Sequence, residues 1–122
     1  MVYRLAAGNE KLSRHPVLIN GVAKAFWPKL LSELRNREYH RIDDLAEANF
    51  VFLDELSVEH DPSGFGRDKL CELLSRRIGK WTLITSNLTL QKLADIDTRI
   101  SSRMIRDRSV VVEVTTTDFA LR

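Results

Sequence analysis

From about residue 22 onward the apolar positions fall into two alternating patterns. Short runs that are apolar at nearly every position alternate with stretches where apolar residues recur every three or four positions. Ala23-Lys24-Ala25-Phe26-Trp27 reads as a short strand, and Pro28 follows it. The fixed φ and missing N–H of proline suit the first turn of a helix. Leu30, Leu31 and Leu34 then repeat at helical spacing. Phe50-Val51-Phe52-Leu53 is apolar throughout, the pattern of a strand covered on both faces. A polar loop from Glu59 to Gly66 carries strong turn chemistry. Next comes a predicted amphipathic helix over 67–78, with Leu70, Leu73, Leu74 and Ile78 on one side. Trp81 to Thr85 reads as another buried strand. Short helices around 90–96 and 98–106 lead to a predicted last strand, Val110-Val111-Val112-Glu113-Val114.

Alternation of this kind predicts an α/β fold, a parallel β-sheet flanked by helices. Residues 1–21 read as a poorly specified N-terminal helix or arm, and residues 22–122 as one domain core. A length of 122 residues fits one compact domain. In parallel sheets functional groups collect just beyond the carboxyl ends of the strands. That rule directs attention to Asp54-Glu55, to Thr85-Ser86-Asn87, and to whatever follows Val114.

Composition narrows the function classes. The chain is 43% hydrophobic and 30% charged, which fits a globular protein rather than a disordered one. Its apolar runs are too short to cross a bilayer, and the N-terminus lacks an apolar signal core, so no membrane and a cytoplasmic location are expected. Cys71 is the single cysteine, which excludes an internal disulfide. Beside Leu70, Leu73 and Leu74 it reads as a small core residue. His15, His40 and His60 have no metal-like spacing. A formal charge of +2 does not by itself imply nucleic acid, but its distribution is uneven. Residues 43–61 hold seven acidic side chains, whereas residues 99–108 hold four arginines against one aspartate.

Asp54 and Glu55 sit where an apolar strand turns polar. Two adjacent carboxylates there suit nucleotide hydrolysis, the first holding Mg²⁺ and the second orienting or deprotonating the attacking water. The plain alternative is a strand ending in solvent. Asn87 ends the next strand, and its amide offers donors and an acceptor without adding charge; a turn or cap residue is its ordinary reading. On a helix, Arg99, Arg103 and Arg106 share a face, which suits phosphate recognition or is simply a solvated face.

The order of these features resembles one family. Val51-Phe52-Leu53-Asp54-Glu55 looks like a Walker B strand, and Leu83-Ile84-Thr85-Ser86-Asn87 looks like a sensor-one strand. Asp97-Thr98-Arg99-Ile100-Ser101-Ser102-Arg103-Met104 resembles the arginine-bearing box of initiator and helicase-loader ATPases. Residues 22–122 as a whole are similar to the DnaC/IstB-like branch of the AAA+ P-loop ATPases, including phage and transposon members. The resemblance implies a three-layer sandwich and the cofactors Mg²⁺ and ATP. It gives Asp54 to the metal, makes Glu55 the hydrolytic base, and has Asn87 sense the γ-phosphate. Arg103 would be an arginine finger reaching a neighbouring subunit's ATP, supported by Arg99. The implied partners are a homo-oligomer or a partner ATPase or helicase in DNA replication, and single-stranded DNA.

The sequence departs from that family in two places. No G-x-x-x-x-G-K-[ST] phosphate loop occurs in it, so tight triphosphate binding by this chain alone is not expected. The connection between Glu33 and Asp43 is short where related loaders are longer. In the family fold the phosphate-loop strand lies centrally, beside the sensor-one strand. Its place would have to be filled by Val17-Leu18-Ile19, by a second chain, or by the last strand shifted inward. Two other functions compete: a non-enzymatic module that engages a partner ATPase or helicase oligomer through Arg99 and Arg103, and a small nuclease holding metal on Asp54, Glu55 and Asp61.

Overall fold

The computed structural model describes residues 21–106 and 109–114. The N-terminal arm and the Val17-Leu18-Ile19 segment lie outside the described residues. Strand β1 (Val22–Phe26) leads directly into helix α1 (Trp27–Arg35), with Pro28 in its first turn. Helix α2 (His40–Glu47) follows, then strand β2 (Phe50–Leu56). Helix α3 (Phe65–Arg76) and strand β3 (Trp81–Ser86) come next, and the short helices α4 (Leu90–Ile96) and α5 (Thr98–Met104) close the order. The strands form one parallel sheet in the order β1-β2-β3. The described residues therefore form an α/β fold, a small three-stranded parallel sheet with helices packed on it.

Register explains which side chains enter the core. Ala23 pairs with Val51 and Val51 with Thr82, while Ala25 pairs with Leu53 and Leu53 with Ile84. Side chains in register share a face of the sheet. The four β1 and β2 members of these two rows are buried. Against them pack Trp27, Leu30 and Leu34 from α1, Ile42 and Leu45 from α2, and Leu70 and Leu73 from α3. Each large side chain so buried contributes about 1.5–3 kcal/mol. Trp27 also donates its indole N–H to the Ser57 carbonyl at 2.9 Å, tying the start of α1 to the loop after β2. The opposite face of the sheet is less covered: Phe50 and Phe52 are only half-buried, and Lys24 and Phe26 are exposed.

Three expectations fail for physical reasons. Trp81–Ser86 is not a buried strand, because among the described residues it pairs only with β2 and forms an edge, with Trp81 77% exposed. Val110 to Val114 forms no strand; its valines are 60–83% exposed, since among the described residues no neighbouring strand receives its backbone. The helix predicted over 67–78 instead spans Phe65–Arg76, and Ile78 lies beyond its end, half-exposed.

Helix α3 starts where it does because of the loop before it. Gly64 adopts φ +77°, which turns the chain into the helix. Asp61, buried, then accepts the N–H groups of Gly66 at 3.2 Å and Arg67 at 2.9 Å, meeting two orphan donors of the first turn. A side chain at position 66 would meet Leu31 at 3.2 Å, so the helix start fits closely over α1.

Candidate functional site

The carboxyl end of β2 is irregular. Leu53 lies opposite Ile84 and Leu56 opposite Ser86, so Asp54 and Glu55 together face the single residue Thr85. Such a bulge re-aims side chains at a strand end. Glu55 takes φ +57°, a left-handed conformation that costs a non-glycine residue roughly 1–2 kcal/mol. What holds it is the hydroxyl of Thr85. That group accepts the Glu55 N–H at 3.0 Å and donates to Asp54 Oδ1 at 2.6 Å.

The next turn is fixed in the same manner. Ser86 donates to the Leu56 carbonyl at 2.7 Å and accepts the Leu88 N–H at 3.0 Å. Asn87, between them, is exposed just past the end of β3. Because β2 and β3 are parallel, Asp54, Glu55 and Asn87 stand at one edge of the sheet. Among the described residues, Asp54 Oδ2, the Glu55 carboxylate and the Asn87 amide make no hydrogen bond or ion pair. A shallow depression of about 310 Å³ lies nearby, lined by Glu59, Leu88, Lys92, Asp95 and Ile96 rather than by the three candidates.

Arg99 and Arg103 stand apart from this edge, on α5 against α3. Arg99 donates to both oxygens of Asp97 at 2.7–3.2 Å and to Asp68 at 2.9 Å. Asp97 also caps α5 by accepting the Arg99 N–H at 3.0 Å. The guanidinium hydrogen bond holds the Asp97 carboxyl below its ordinary range, and Asp97 with Asp68 raises Arg99 further above its own. Arg103 donates to Ser75 Oγ at 2.6 Å and to the Arg99 carbonyl at 3.0 Å. Asp68 lies near the start of α3 and Ser75 near its end, so the two arginines run along that helix. Arg106, expected on the same helical face, lies beyond the end of α5 at Met104 and is exposed.

Mg²⁺ and ATP need two halves of a site. The carboxylate half fits, since Asp54 and Glu55 keep unengaged oxygens. The phosphate half does not. The helix-start amides of Gly66 and Arg67 are already taken by Asp61. The three-carboxylate nuclease site does not assemble, since among the described residues no three His, Cys, Asp or Glu side chains gather in a metal-holding group. Asp61 is buried beneath α3 and faces Arg35 at 3.9 Å and Arg67 at 3.6 Å instead of joining Asp54 and Glu55.

Two notable groups were not legible in sequence. In sequence Thr85 is marked only as part of a strand end, because its role depends on the bulge opposite it. Arg77 is a guanidinium only 2% exposed. It donates to the carbonyls of Leu45 at 2.7 Å, Ala48 at 2.5 Å and Trp81 at 2.6 Å, and to Thr82 Oγ1 at 2.8 Å. Burial pulls it down to about 10. It serves the carboxyl end of α2, where unpaired carbonyls favour a cation. The chain matches no protein-family model and no curated protein.

Proposed function

We propose that the chain is an ATPase-related domain of the DnaC/IstB helicase-loader type, carrying the hydrolytic half of a nucleotide site without its phosphate cradle. One observation supports this most: an acid pair on a bulge at a parallel strand's carboxyl end, held in a left-handed turn by Thr85. Backbone strain of this kind gathers at functional sites, where surrounding bonds maintain it.

In this reading Glu55 is the base and Asp54 the metal-facing carboxylate, with Asn87 beside them. Phosphate binding must come from another unit, so hydrolysis reports assembly. Titration calorimetry of the isolated chain with MgATP is expected to detect no affinity tighter than about 1 mM. Sub-millimolar binding by the chain alone contradicts the proposal.

The competing reading, a non-enzymatic module engaging a partner ATPase or helicase, requires Arg99 and Arg103 to leave their contacts on α3. If Arg103→Ala weakens a partner's ATPase while Asp54→Ala and Glu55→Ala are silent, that reading replaces the first.

A further inference from the structure

Among the described residues two unsatisfied elements complement each other. The outer edge of β3 receives no strand among the described residues, and its first side chain, Trp81, is 77% exposed. The run Val110-Val111-Val112-Glu113-Val114 is rich in β-branched residues and stands in solvent, with Val110 83% and Val112 77% exposed. An open edge is a template for another strand, and a run of valines is a strand without a sheet.

Charge decides how they fit. The carboxyl end of β3 adjoins Asp54 and Glu55, while its amino end adjoins Lys80 and the Arg77 guanidinium bound to Thr82. The valine run follows Arg106-Asp107-Arg108, a segment of net charge +1, and contains Glu113. Parallel pairing, the direction given by a crossover within one chain through α4 and α5, sets like charges together at both ends. Antiparallel pairing turns that net positive end of the run towards Asp54 and Glu55, and Glu113 towards Lys80 and Arg77. Opposite charges across strands stabilise the pair, and like charges oppose it.

We propose that this chain self-associates by adding Val110–Val114 of one copy, antiparallel, to the β3 edge of a second copy. Val114 then lies opposite Trp81, Glu113 opposite Thr82, and Val110 opposite Thr85. Val110, Val112 and Val114 share a face and extend the apolar row of Trp81 and Leu83. Donor and acceptor are different surfaces, so the contact is heterologous and builds rings or open chains rather than a two-fold pair alone. A phosphate-loop strand would need the same edge, so self-association and completion of a nucleotide site exclude one another. The association itself does not depend on the hydrolytic reading and is measured without nucleotide.

Sedimentation velocity of the 122-residue chain from about 1 μM to about 200 μM tests it. The expected result is concentration-dependent assembly accompanied by a blue shift of tryptophan emission. Adjacent N–H groups of a strand point to opposite sides, so either Val111→Pro or Val112→Pro is expected to weaken assembly at least roughly tenfold. Both positions are exposed, so the monomer fold is kept. Glu113→Lys is expected to weaken assembly several-fold. A chain that stays monomeric throughout, assembly indifferent to both prolines, or assembly strengthened by Glu113→Lys each overturns the proposal.

Discussion

Thr85 Oγ1 donates to Asp54 at 2.6 Å while accepting the backbone N–H of Glu55 at 3.0 Å, so one hydroxyl fixes both members of the acid pair. Thr85→Val removes a donor and an acceptor at once without changing the shape of the side chain much. It is expected to destabilise the chain by about 1–2 kcal/mol in urea unfolding, and Thr85→Ser to restore most of that. Equal stability of the valine and serine variants contradicts the assignment.

The backbone of Glu55 gives an independent check. At φ +57° a glycine meets no steric penalty, so Glu55→Gly is expected to be neutral or slightly stabilising, whereas glycine elsewhere in a strand weakens it. Thermal unfolding compares it with Val51→Gly, which empties a fully buried core position and is expected to cost several kcal/mol.

Arg77 is buried with carbonyls from α2 and β3 as its partners. Arg77→Leu leaves those acceptors without a donor and is expected to destabilise the fold by about 2–4 kcal/mol. Arg77→Lys has too few donors, and too short a reach, to replace a planar fork, so it is expected to recover only part of the loss. Full recovery by lysine in denaturant titration contradicts this account.

Asp97 supplies an acid-sensitive contact. Its folded value is depressed, chiefly by the Arg99 hydrogen bond, so the stability it contributes is present above its ordinary value of 3.8. That contribution is lost as pH falls through the depressed folded value. Asp97→Ala is expected to cost about 1 kcal/mol at neutral pH, as for other helix caps, and to flatten the acid limb of the stability profile. An unchanged acid limb contradicts the assigned role.

The strands and helices were legible because burial on this scale imposes a period. Fully apolar runs marked β2, and leucines at helical spacing marked α1 and α3. The misreadings share a cause. Trp81–Ser86 and Val110–Val114 have equally good strand composition, yet a strand's burial is set by its neighbours, which composition does not encode. The acid pair and Asn87 were readable as a shared sheet edge from strand direction alone. Thr85 and the left-handed Glu55 were not, because a bulge is a register event between distant segments. The paired arginines were visible, but their ties to Asp68 and Ser75 follow from how α5 lies on α3.

The proposed hydrolytic role of Glu55 is tested most directly by supplying a phosphate-binding half. A strand–G-x-x-x-x-G-K-[ST]–helix unit joined ahead of Gly21 gives the acid pair a phosphate cradle. ATP hydrolysis is then followed in a single turnover with nucleotide binding verified. Glu55→Gln is expected to slow hydrolysis by about a hundredfold or more, as loss of a general base does, while ATP stays bound. Equal rates for the two proteins, at equal occupancy, would contradict the account.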